Sequence, residues 1–352
     1  MSLRILLSAV LALAGAAPPV AAFCLHPLAE ERLVNYCLLR SMDGKRVKLS
    51  YATTVDARLK NAGHTDGLGL GLPYQPRRSS ISLAVRPTLE WSPNINGGNP
   101  DGPLRLGALT FEGAPGYVRK KGILGGVGLR LGGRYRYGEG RYLDYHLTGN
   151  HAHSPQHGIG VSWAGGQLCG IHSLRNWWYA DACLNTRQIW TELADRSLYN
   201  ASLGISKIFS RPDHTYHQAS IRLNRLYDDG RYTQNQLALA LNSSHANGLF
   251  TGLSLLLGER ITDELAIRYG ITARVGIRLA NKPLSLSVAH NRAVGGRLLG
   301  FARDETTQAI SLSYPVLSKI TLSVGYRKTN SKIDYFDISE PVFGIHFPPL
   351  HF

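Results

Sequence analysis

The chain has few long apolar stretches and few acids. Its one sustained apolar run is Ile5 to Ala17. A membrane-spanning helix needs about 20 apolar residues, so this run is too short, and no later run approaches that length. Helical spanning of a bilayer is therefore excluded; if the chain enters a membrane, a closed barrel is the remaining way to satisfy its backbone. The short run follows Arg4 and leads to Val20-Ala21-Ala22, which predicts a secretory signal over residues 1–22 with cleavage after Ala22. Acids are outnumbered, 24 Asp and Glu against 39 Lys and Arg, for a formal net charge of +15. Removal of Arg4 would bring this to +14. The basic residues are spread along the chain rather than clustered on one element, which with export argues against nucleic acid as a partner.

Cysteine is scarce but even in number. Cys24, Cys37, Cys169 and Cys183 follow the signal, and four cysteines in an exported chain permit three disulfide connectivities. Closeness in sequence favours Cys24–Cys37 and Cys169–Cys183, the second pair flanking a predicted hairpin. The spacings do not resemble a zinc site.

What is abundant is alternation. In Thr307 to Tyr314, Gln308, Ile310, Leu312 and Tyr314 share one face, and Thr307, Ala309, Ser311 and Ser313 the other. Lys319 to Arg327 repeats the pattern, with Ile320, Leu322, Val324 and Tyr326 opposite small, polar or basic residues. Period two places these sets on opposite faces of strands. Such strands are expected at about 80–91, 122–137, 141–152, 157–169 and 176–190. They continue at about 196–209, 213–226, 231–243, 247–258, 263–279 and 283–291, and end with 304–315, 318–329 and 335–347. The total is fourteen, an even number as a bacterial barrel requires. Working back from the last strand makes 92–119, 292–303 and 330–334 outer loops, and 280–283 and 315–318 inner turns. Leu104 to Phe111 looks strand-like, but counting it would give an odd total, so it is assigned to the first outer loop.

The predicted fold is all-β: an antiparallel transmembrane outer-membrane barrel over 79–352, preceded by a partly helical segment at 23–78. Ala29, Leu33, Cys37 and Leu38 recur at helical spacing. The residues leave open whether this is a small periplasmic helix, an inward plug or the remnant of a partner-binding domain. Gly67 to Leu72 alternates Gly and Leu without the context of a phosphate loop and reads as linker. In the barrel, Arg86, Arg130, Arg222, Arg268, Arg274 and Arg327 fall on polar faces, so they are expected to line the lumen and favour anions. Trp163, Trp177, Trp178, Tyr314 and Tyr326 are expected at the membrane interfaces.

Catalytic signals are weak. Gly160-Val161-Ser162-Trp163-Ala164 approaches a hydrolase motif but lies in a predicted strand rather than at a strand-to-helix elbow. His151, His153 and His157 form the densest titratable cluster, at an expected outer hairpin tip, where imidazoles can bind zinc or copper. A polar rim loop is the plainer reading. No cofactor and no enzyme activity are expected.

Two stretches carry a family resemblance. P-T-L-E-W-S-P-N-I-N-G-G-N-P (Pro87 to Pro100) resembles the start of the barrel in surface lipoprotein assembly modifier proteins. R-D-E-T-T-Q-A-I-S-L-S (Arg303 to Ser313) and Y-R-K-T-N-S-K-I-D-Y-F (Tyr326 to Phe336) resemble that family's closing hairpins. The terminal Phe352 resembles the assembly signal of bacterial outer-membrane proteins, which implies recognition by the barrel-assembly machinery and contact with outer-membrane lipids. The resemblance implies movement of a lipoprotein substrate to the cell surface. Residues 23–78 are too short for the tetratricopeptide array of that family, so a separate periplasmic partner would supply substrate binding. A passive anion-preferring channel and an outer-membrane enzyme are the alternatives.

Overall fold

The computed structural model describes residues 24, 28–42, 79–138, 140–213, 215–280, 282–317 and 320–351. The predicted signal, residues 43–78 and Phe352 lie outside the described residues. Among the described residues one helix, α1 (Glu31–Met42), precedes the strands. The first strands are β1 (Ser79–Ser92), a small hairpin β2 (Leu104–Leu106) and β3 (Leu109–Phe111), β4 (Gly122–Gly138), β5 (Arg141–Ser154) and β6 (Ile159–Ser173). Then come β7 (Trp178–Trp190), β8 (Asp195–Ser210), β9 (Tyr216–Asp228), β10 (Tyr232–Ser244), β11 (Phe250–Gly258) and β12 (Ala266–Leu279). The last are β13 (Lys282–Leu298), β14 (Phe301–Pro315), β15 (Thr321–Ser331), β16 (Ile338–His346) and the two-residue β17 (Leu350–His351).

β1 and β4 to β16 form one antiparallel sheet in chain order, and β16 pairs back onto β1. The result is a closed fourteen-stranded barrel. β2 and β3 pair only with each other, inside the first long loop, as the parity of the count requires.

Burial in the barrel is inverted relative to a protein folded in water. Leu184, Leu203 and Leu223 point outward and are 61%, 64% and 61% exposed, whereas Asp181, Ser202, Gln218 and Gln234 point inward and are buried. An exposed leucine band around a polar interior suits a wall that faces lipid. Among the described residues, no helix is long and apolar enough to cross a membrane.

Both ends of the chain's barrel segment, Ser79 and His346, lie at one rim, here called inner. The outer rim carries the long segment 93–121. Three expected boundaries need correction. The stretch 292–303 is not an outer loop: β13 and β14 run through it and meet at Leu299-Gly300, both at positive φ (49° and 87°), a two-residue hairpin turn. A bulge between Ala293 and Gly296 breaks the alternation there. Residues 259–265, part of which was expected to be strand, form an outer loop instead. The last long strand starts at Ile338, after a short 3-10 turn at Asp334–Phe336, rather than at 335.

Candidate functional site: a basic lumen occupied at both mouths

Helix α1 lies inside the inner mouth. Leu33, Tyr36 and Cys37 are buried against Tyr142, Tyr179, Ile208 and Tyr216 of the wall. Tyr36 meets Trp177 edge-on at 4.7 Å and Tyr216 at 6.1 Å, and its hydroxyl bonds Ser210 Oγ at 3.1 Å. Arg32 donates to Ser206 Oγ at 3.4 Å and lies 5.0 Å above the Tyr179 ring. Gln218 donates to Glu30. Of the three placements left open by the sequence, the inward plug is the one observed for residues 31–42. Cys24–Cys37 ties the preceding turn to the helix, and Cys169–Cys183 joins directly opposed residues of β6 and β7 in the same cluster. Both are the pairings favoured by sequence distance.

The outer mouth is narrowed by 93–121. Asn94-Ile95-Asn96 turns inward and buries Ile95 against Leu124, Ala152 and Ile159. Asn96 is fully buried; its Oδ1 accepts from Lys120 N at 2.9 Å and its Nδ2 donates to Val118 O at 2.9 Å. Gly98 is required here, because a Cβ would stand 2.8 Å from Tyr117 O. Leu193 N donates to Asn96 O at 2.9 Å, and Arg119 Nη1 reaches Glu340 of β16 at 3.9 Å, so the loop bridges distant parts of the rim.

Between α1 and the wall of β1, β4, β5 and β6 is a cavity of about 1250 Å³. Arg86, Arg130, His146, Asn150, Trp163 and Glu90 line it. Arg134 is also there, held to Asp144 at 2.6 Å and to Glu31 at 3.0 Å. Among the described residues neither Arg86 nor Arg130 has a carboxylate partner. His146 Nδ1 and Asn150 Oδ1 have no protein partner among the described residues.

The six arginines expected in the lumen separate into three groups. Arg86, Arg130 and Arg274 face inward without an acidic partner among the described residues. Arg222 and Arg327 face inward but are bonded to buried acids, Arg222 to Asp181 at 2.6 Å and Arg327 to Glu340. Arg268 does not line the lumen. It is the extra residue of a bulge between Ile267 and Tyr269, donates to Gly258 O at 2.5 Å and borders an outward groove with Leu223, Leu237 and Leu257. An extra residue in a strand moves a side chain to the other face, which counting by two misses.

Trp163 also departs from expectation. It faces the cavity and not the membrane interface, with Arg187 stacked over it at 5.3 Å. Trp177 packs on α1 at the inner mouth. Trp178, Tyr314 and Tyr326 face outward. Trp163 shares parity with Cys169, so placing the disulfide-bonded pair of neighbouring strands on the inward face would have placed Trp163 inside as well.

The histidine cluster does not converge. His151 and His153 lie on the outward face of β5. His151 Nδ1 bonds Ser162 Oγ at 2.8 Å. His157 turns the other way, its Nε2 on Lys121 O at 2.9 Å and its ring beside Gly122. Among the described residues no group of three His, Cys, Asp or Glu side chains is placed to hold a metal. Ser162 lies in a strand, as expected, and no carboxylate bonds His151 among the described residues.

No family model and no curated protein matches the sequence. Solved structures superpose along most of the chain. OccAB3 of Acinetobacter baumannii shares 8% identity over 78% of this chain and 99% of its own, with a TM-score of 0.40. OpdL of Pseudomonas aeruginosa shares 12% over the same fractions, also at 0.40. The chemistry of the lumen has to come from this chain's own side chains.

Proposed function

We propose that this chain is a porin-like outer-membrane channel for small anionic solutes. The observation that carries the reading is the pair Arg86 and Arg130, inward-facing and without acidic partners among the described residues, on the wall of the cavity. Arg130 pairs with Ala84, so Arg86 is its diagonal neighbour on the next strand, and Cα atoms in that relation are about 7–8 Å apart. Two guanidinium groups at that spacing attract an anion and repel a cation. A cavity of about 1250 Å³ accommodates a small organic ion and its water. Helix α1 and the 93–121 loop restrict what enters from each side.

The test is single-channel recording of the refolded protein in planar bilayers across a salt gradient. Steady openings with an anion-side reversal potential are expected, and R86Q/R130Q should move that potential toward zero. A barrel shown to be folded by its heat-modifiable gel mobility, yet silent in the bilayer, would overturn the channel reading.

One observation favours a second reading, translocation of a lipoprotein delivered by a periplasmic partner. The closing seam is thin. β1 and β16 share four residue pairs, Thr88–His346 to Trp91–Phe343, whereas β1 and β4 pair along the whole of β1. Beyond His346 the sequence is Phe347-Pro348-Pro349, and two prolines remove two donors before β17 resumes at Leu350. A seam of this kind is where a barrel wall opens most easily.

A further inference from the structure

We propose that the outward face of β6 to β11 binds one phosphate-bearing lipid, with an acyl chain in a leucine groove and the phosphate at Arg225 and Arg268. The inference rests on the membrane-barrel fold and not on what the lumen conducts.

The groove is built by alternation of size. Leu168, Leu184, Leu203, Leu223, Leu237 and Leu257 form an outward row across six strands. Gly170, Ala182 and Ala201 stand beside them on the same face and leave a depression of about 1040 Å³. Leu203, Leu223, Leu237 and Leu257 are directly opposed from strand to strand. Five strand spacings of about 4.8 Å make the row roughly 24 Å long. Because strands of such a barrel tilt by about 35–45°, the row climbs obliquely and rises about 15 Å along the membrane normal, close to the share of the hydrocarbon core that one leaflet contributes. A uniform lipid-facing band needs no such depression; an ordered acyl chain does, because packing is what distinguishes one apolar contact from another in lipid.

The groove ends in charge. Arg225 is directly opposite Ala201, one of the small residues, and lies three residues from the outer end of β9. Arg268, three strands away on β12, borders the same depression because of its bulge. Among the described residues it spends one N–H on Gly258 O, which leaves the rest of the guanidinium for a ligand. Asn235 and Glu259 are the other outward-facing polar side chains that line the depression; Ser202, Asn224 and Gln236 lie on the inward parity. The Glu259 carboxylate is already engaged, accepting from Asn235 N at 2.8 Å and Nδ2 at 3.1 Å. Two guanidinium groups against one occupied carboxylate leave the end positive. Arginine pairs with phosphate through parallel charge-assisted hydrogen bonds. An exposed arginine pair at the outer end of an apolar groove is thus complementary to a phosphorylated amphiphile in length, polarity and charge.

The test is native mass spectrometry of the full chain released from nanodiscs of phosphatidylcholine doped with phosphatidylglycerol. One phosphatidylglycerol should stay bound at collision energies that strip all phosphatidylcholine. R225Q/R268Q should lower the retained fraction about tenfold, the scale of one charge-assisted hydrogen bond. A201L, which fills the groove and keeps both arginines, should lower it as well and carries the test should the double variant fail to refold. Equal retention of the two lipids, or full retention by either folded variant, would overturn the proposal. So would a bound inorganic phosphate in lipid-free detergent, which would mark a free-anion site.

Discussion

Arg134 of the wall holds Glu31 of α1 at 3.0 Å, while its Nε holds Asp144 at 2.6 Å. One guanidinium thus ties the inner plug to the barrel. Glu31 is half exposed, and a pair of that kind contributes less than about 1 kcal/mol. E31Q should therefore leave the barrel folded and increase current fluctuation only slightly. R134A should do more, because it strands Asp144 inside the lumen. Open-channel noise in planar bilayers reads both.

Tyr36 carries more of the docking. It is buried, packs on two aromatic rings and bonds Ser210. Truncating a buried aromatic to Ala costs about 3–5 kcal/mol. Y36A should undock α1, raise conductance measurably and expose the helix to added protease, while heat-modifiable mobility of the barrel stays unchanged. Unchanged conductance would mean that α1 does not limit the pore.

The strand pattern was legible because lipid outside and polar groups inside enforce strict alternation, as in Ile221 and Leu223 against Arg222 and Asn224. It failed where the backbone adds a residue. The bulge before Gly296 made a strand resemble a loop, and the bulge at Arg268 moved an arginine from lumen to outer face. The helix was legible as a helix from Leu33, Cys37 and Leu38. Its position was not, because an apolar stripe reads the same whether it meets a partner protein or the inside of its own barrel. Asn94-Ile95-Asn96 entered as a resemblance, and its structural work, burying Ile95 in the outer mouth, depends on hydrogen bonds to residues more than twenty positions away.

Those bonds make a third prediction. N96A removes the acceptor for Lys120 N and the donor to Val118 O, both in the packed base of the 93–121 loop. Leaving a buried backbone group unpaired costs about 1–3 kcal/mol. The loop should become the first site of external proteolysis in intact cells or proteoliposomes, with conductance raised and the barrel intact.

The Cys24–Cys37 bond closes a span of 13 residues onto α1. A cross-link over a loop of that length is worth about 3 kcal/mol to the ordered state. C24S/C37S should loosen the N-terminal turn and accelerate hydrogen exchange in α1, leaving exchange in β6 and β7, held by Cys169–Cys183, unchanged. Acceleration throughout the barrel would assign the bond a global role instead.

The seam separates the two functional readings. Leu89 faces Ile345 directly across β1 and β16. Opposed residues of an antiparallel pair lie about 4.5–5.5 Å apart at Cα, within reach of a disulfide. L89C/I345C should therefore oxidise spontaneously and lock the barrel shut. A solute that passes through the lumen never needs the seam, so conductance and anion preference should survive oxidation unchanged. A substrate that leaves through the wall needs the pairs of β1 with β16 and β17 to part, so its surface display should stop on oxidation and return with reductant. Loss of conductance on locking, with the barrel still folded, would show that the wall breathes during permeation and would join the seam to the channel itself.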